Sequence, residues 1–281
     1  MSWTAVAEKD FRDAIRSRML IALTVLFVLF AVGFTYLFSA IPRVLGNAAP
    51  DTAATIALLS ALNNASALVV PLIGLVVGYK ALVGERASGS LKLLLGLPHS
   101  RRDVVIGKLV GRTGVVAVAV LVGFAAAAVA AFVLYDSFAI VEFATYAVLT
   151  VLLGAVFVAI AVGFSAGLRS TSWALYGAIG LFVLFEFVWN FVPVVVLYVI
   201  NGFELPQLTT TPEWASLFAL LNPQRAYSYA AASVIPELSE SVPTEAGDPF
   251  YLQEPFGFVV LAFWLVVPLA LGYLRFDGTD L

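Results

Sequence analysis

At 281 residues, 62% hydrophobic and 12% charged, with a mean hydropathy of +1.00, the chain is too apolar for a soluble globular domain, whose apolar share is about 45–50%. The absence of cysteine excludes disulfides, thiol catalysis and cysteine metal sites. A net charge of -3 averages two faces of opposite character, and the composition predicts an all-α polytopic membrane protein.

Residues 1–18 mix Glu8, Lys9, Asp10, Arg12, Asp13, Arg16 and Arg18 with Trp3, Ala7, Phe11, Ala14 and Ile15 at a 3.6 period, which predicts an interfacial helix on the membrane surface. Six transmembrane helices are expected at about 19–40, 60–83, 113–135, 144–168, 173–196 and 256–274, each long enough to cross a hydrocarbon core. On the fourth, Ala155, Ala159, Gly163 and Gly167 form a small-xxx-small ridge of the kind that lets membrane helices approach closely. Pro193 predicts a kink in the fifth.

Before the last span, Thr211-Pro212-Glu213 reads as a helix start, and the apolar run 214–221 is too short to cross and stops at Asn222-Pro223. A second short helix over 224–234 completes an external hairpin across 211–235, re-entrant or interfacial.

The charged segment 85–108, ERASGSLKLLLGLPHSRRDVVIGK, lies between the second and third spans. Leu91, Leu94 and Leu95 recur on one helical face, with Lys92 and Ser88 off it, so a short amphipathic helix parallel to the membrane is predicted in the first half of the segment and ended by Pro98. Ser100 with Asp103 predicts a capping box opening the next helix. A charged loop that only sets topology accounts for the basic residues. A leucine stripe calls for lipid headgroups or a partner groove, and pattern alone leaves both readings open.

Thirteen of the 15 Lys and Arg residues fall on one side: four in the N-terminal segment, seven from Lys80 to Arg112, then Arg169 and Arg275. Arg43 and Arg225 fall on the other. By the positive-inside rule the crowded side is cytoplasmic, which puts both termini inside a multi-pass protein of the cell (plasma) membrane.

Enzyme chemistry finds little to work with. His99 is the sole histidine, beside Arg101 and Arg102; no HExxH occurs, and Gly107-Lys108 is followed by Leu109 rather than completing a phosphate loop. Glu186 is the only acid inside a span, with Asn190 one turn on and Asn63 and Asn64 of the second span at comparable depth. An ionisable residue at that depth is either a functional group or a hydrogen-bonded link between helices.

These features resemble the membrane subunits of type-2 ABC transporters. The resemblance rests on the surface helix with Lys9, Arg12 and Arg18, six spans with both ends inside, and a segment in which Glu85, Arg86, Gly89, Leu91, Pro98, Ser100, Arg101, Gly107 and Lys108 stand at family positions. Leu221-Asn222-Pro223 before the last span looks like the family's external element, and the short external loops resemble the branch that includes permeases of nitrous-oxide-reductase maturation. The resemblance implies a single permease domain over 1–281 that acts as an exporter. It also implies that 87–97, with Leu94 and Leu95, is a coupling helix that docks on a separate ABC ATPase subunit binding ATP and Mg. A second copy of the permease faces it across the substrate path. No cofactor or metal in this chain and no nucleic-acid partner are expected, only membrane lipid. Two other readings are an ion-coupled carrier using Glu186, which would show an inverted repeat or discontinuous helices, and a membrane scaffold that recruits a cytoplasmic protein without transport.

Overall fold

The computed structural model describes residues 3–44, 51–96, 100–135, 138–204, 212–244 and 247–278, and the described residues are helical in all their long elements. Six helical stretches are long and apolar enough to cross a membrane. They are carried by α2 (Arg18–Val44), α3 (Asp51–Gly78), α6 (Arg101–Leu134), α7 (Ile140–Ala166), the pair α8 (Thr171–Val183) and α9 (Trp189–Ile200), and α12 (Phe256–Asp277). The shorter helices are α1 (Trp3–Ile15), α4 (Val83–Ser88), α5 (Ser90–Gly96), α10 (Glu213–Leu220) and α11 (Pro223–Val234).

The fourth span, α7, is the axis of the bundle. It packs against α3, α6 and α12, and 72% of its most apolar window is buried, against 6% for the fifth span. Between lipid-soluble helices there is little hydrophobic drive to associate, so close packing must hold them. At Gly163 an added Cβ would stand 2.2 Å from the Pro268 carbonyl oxygen, and one at Gly272 would stand 2.2 Å from the Gly163 carbonyl oxygen. Here α7 and α12 touch backbone to backbone, and the small-residue ridge is used at Gly163 for packing.

Helix α6 begins at Arg101, twelve residues before the apolar stretch, because Ser100 caps it: the Ser100 hydroxyl accepts from the Asp103 amide at 3.1 Å and the Ser100 amide donates to Asp103 Oδ2 at 3.1 Å. Its 34 residues reach about 51 Å, well beyond a core of about 30 Å, so its charged first turns project from the membrane. The fifth span is interrupted by a π-turn over Leu184–Val188, in the helix that also holds Pro193. Asn222 caps α11 by accepting from the Gln224 amide at 2.9 Å, with Pro223 at its first position. Pro212 stands at the N-cap of α10 instead of in its first turn, and Thr211 lies outside the described residues.

The expected single helix over 87–97 is two. Gly89, at φ +75°, is the left-handed cap of α4, and α5 starts anew at Ser90. The hydroxyls of Ser88 and Ser90 both return to the Glu85 carbonyl, at 3.2 and 3.4 Å, which fixes the break.

Candidate functional site

Helix α1 lies along the projecting part of α6, brought close by glycine. A Cβ at Gly107 would meet the Val6 Cβ at 2.6 Å, and one at Gly111 the Ala7 carbonyl oxygen at 2.7 Å. Between these contacts sits a buried ion-pair cluster. Lys108, 2% exposed, donates from Nζ to Asp10 Oδ1 at 2.7 Å and to Glu85 Oε1 at 2.6 Å. Arg112 donates from Nε to Asp10 Oδ2 at 2.6 Å and from Nη1 to the Val77 carbonyl at 2.5 Å. Burial pushes the Asp10 carboxyl up, but the Lys108 and Arg112 charges and hydrogen bonds outweigh it and hold the group below its ordinary value. Glu85 Oε2 is buried without a hydrogen bond. Two acids and two bases thus tie α1, α4, α6 and the end of α3 into one unit.

A second set of contacts joins this unit to the ends of the fourth and sixth spans. Arg86 donates to the Leu168 carbonyl at 2.7 Å, and Arg101 to the Phe276 and Asp277 carbonyls at 2.5 and 2.7 Å, cations on the last carbonyls of helices. Both guanidinium groups flank the Phe276 ring, 5.7 and 5.4 Å from its centroid. Ser165 accepts from the Leu82 and Val83 amides at 3.2 and 3.1 Å and anchors the start of α4.

The leucines divide differently from the expected stripe. Leu91 is buried in this chain's own core and presents no surface to a second protein, while Leu94 is half-buried against that core. The outward face carries Lys92, Gly96 and Leu93, which is 78% exposed. The Leu95 side chain, Pro98 and His99 lie outside the described residues. Gly107 faces α1 and Lys108 is internal, so both position the segment from within. Sequence reasoning missed Asp10 and Arg112 as members of the cluster. The signal for Asp10 is its place three residues after Ala7 and four before Ala14, inside the apolar stripe of α1, where a carboxylate demands a cation.

A separate polar cluster lies within the bundle. Glu186, on the π-turn, accepts from Gln224 of α11, whose Nε2 also donates to the Ala67 carbonyl at 2.9 Å. Asn222 donates to the Phe185 carbonyl at 2.7 Å, one of the groups displaced by the π-turn. Asn63 donates to Ser228 Oγ at 2.9 Å, so it partners α11 rather than Glu186. Asn190 is exposed, because the extra residue in the π-turn rotates the following helix away from the face of Glu186. The Asn64 side chain lies outside the described residues. Among the described residues no group of three or more His, Asp or Glu could hold a metal ion.

Six apolar helices with a small polar cluster between them and a charged, ion-paired end make an all-α polytopic membrane protein. Residues 4–281 match the family described as ABC-2 family transporter protein, and the chain belongs to that family as an ABC-type permease subunit. It is 34% identical over 227 residues to the "Probable ABC transporter permease protein NosY" of Stutzerimonas stutzeri, covering 79% of this chain and 78% of that one. It is 30% identical over 282 residues to the protein of the same name from Pseudomonas aeruginosa (strain PAO1), covering 96% of each.

Proposed function

We propose that this permease is driven by a separate ABC ATPase subunit that docks on the outward face of α4 and α5, centred on Leu93, and that the cargo is exported. ATP and Mg belong to that partner. The observation that carries the reading is the bracing of α4: Glu85 to Lys108 of α6 and through it to Asp10 of α1, Arg86 to the end of α7, and Ser165 at the helix start. A push on α4 and α5 therefore reaches three other helices with little slack, as a coupling element requires, whereas a topology loop needs no such bracing. Both termini are cytoplasmic in this reading, and a second copy of the chain faces the fifth span, the least covered one.

Leu93→Asp in the full-length chain, co-expressed with its ATPase, tests the docking face. A charge placed in a desolvated contact costs several kcal/mol, so the permease should remain in the membrane while co-purifying ATPase falls at least tenfold. Glu240→Gln, at an exposed position in the segment after α11 and away from this face, should change little. Undiminished ATPase and transport in the Leu93 variant would remove α5 from the contact.

A further inference from the structure

We propose that the groove between the fourth, fifth and sixth spans seats one anionic phospholipid, with acyl chain in the groove and headgroup phosphate among Arg86, Arg169 and Arg275. The groove has a volume of about 740 Å³ and is lined by Phe164, Leu181, Trp264, Val267 and Leu271, with Arg275 at one end. That volume lies in the range of about 300–1,000 Å³ typical of sites for small apolar ligands. Its floor is the contact of Gly163 with Pro268, so the bundle's own close packing leaves a channel along its flank.

Charge at the open end selects the occupant. Leu168 lines the groove and its carbonyl holds Arg86, so Arg86 and the exposed Arg169 stand beside Arg275 at the rim. The carbonyl satisfies one donor of Arg86 without neutralising the cation, and the charge of Arg169 acts on it repulsively. Among the described carboxylates, Glu85 bonds to Lys108 and Asp103 to the Ser100 cap, and the exposed Asp277 stands at this end of α12. Crowded arginines at the mouth of an apolar groove between spans match a phosphate diester carrying acyl chains. Trp173 and Tyr176, 68% and 64% exposed, stand four and seven residues beyond Arg169 and mark the headgroup level, where amphipathic rings collect.

The test uses the full-length chain in detergent, stripped of lipid and then supplied with phosphatidylglycerol or phosphatidylcholine of matched acyl chains. Native mass spectrometry should find a one-to-one adduct with phosphatidylglycerol at least tenfold more abundant than with phosphatidylcholine, with a raised unfolding temperature for the former alone. Arg169→Gln with Arg275→Gln should erase that preference, and Leu271→Trp should reduce the adduct of both lipids by filling the groove. Equal adducts with the two lipids on the unaltered chain would overturn the proposal, as would a preference that survives loss of both arginines. A single cysteine at position 271 that crosslinks two copies in membranes would also overturn it, by assigning the groove to a second copy.

Discussion

Lys108 is the residue whose loss should be felt most, because it is buried and neutralises parts of two carboxylates at once. In Lys108→Met, Asp10 keeps Arg112, but among the described residues Glu85 keeps only Lys9 at 3.9 Å. Breaking a buried pair on one side costs about 3–5 kcal/mol, so the purified variant should unfold at a much lower temperature, and adding Glu85→Gln should recover part of the loss. No recovery would place the cost in packing rather than charge. Acid should act on the same cluster through Asp10. Its carboxyl is held below the ordinary 3.8 in the fold, so its contribution is complete above that value and drains away as pH falls further. Glu186 calls for a different experiment. Glutamine at that position keeps a carbonyl oxygen for Gln224, so Glu186→Gln should assemble normally and transport at an unchanged rate if the group only links helices. Normal assembly with transport abolished would instead put a proton or cation on this carboxylate.

At the scale of elements, what could be read in advance is what depends on neighbours in sequence. Hydropathy is a property of each segment alone, so the presence of six apolar spans and the Ser100 cap could be read in advance. Partners distant in sequence are not readable this way: Asp10 and Lys108 are 98 residues apart, and Glu186 and Gln224 are 38 apart. Nor was the break at Gly89, since a glycine in a helical pattern is compatible with both continuation and a left-handed stop, and the serine bonds to Glu85 decide. That break also explains the divided leucines, because α5 is aligned by its own packing and turns Leu91 inward. The contact of α7 with α12 yields the clearest element-scale prediction. Leucine at Gly163 would drive its Cβ into the Pro268 carbonyl, so Gly163→Leu should separate the two helices and leave a chain that inserts but aggregates on extraction. A monodisperse, fully stable variant would mean that α12 shifts without cost.

For the whole molecule the question is which end faces the cytoplasm. Lys108 with Asp10, Arg86 with Leu168, and Arg101 with Phe276 gather α1, the start of α6, the end of α7 and the end of α12 at one end of the bundle. Helix α11 packs at the other end, where Gly257 at the start of α12 abuts the Ala226 carbonyl. The two ends differ in charge as well as in build, since thirteen of the 15 basic residues belong to the first and Arg225 of α11 to the second. Because insertion retains basic loops inside, the ion-paired end should be cytoplasmic and the end with α11 external. The chain has no cysteine, so single cysteines report without background. Arg102 and Glu240 are both exposed, and neither belongs to the clusters described. A membrane-impermeant thiol reagent applied to intact cells should label Glu240→Cys at once and Arg102→Cys only after the membrane is opened. The reverse pattern would invert the bundle and put Leu93 on the outer surface, out of reach of any ATPase, so the docking reading and the orientation stand or fall together in this one measurement.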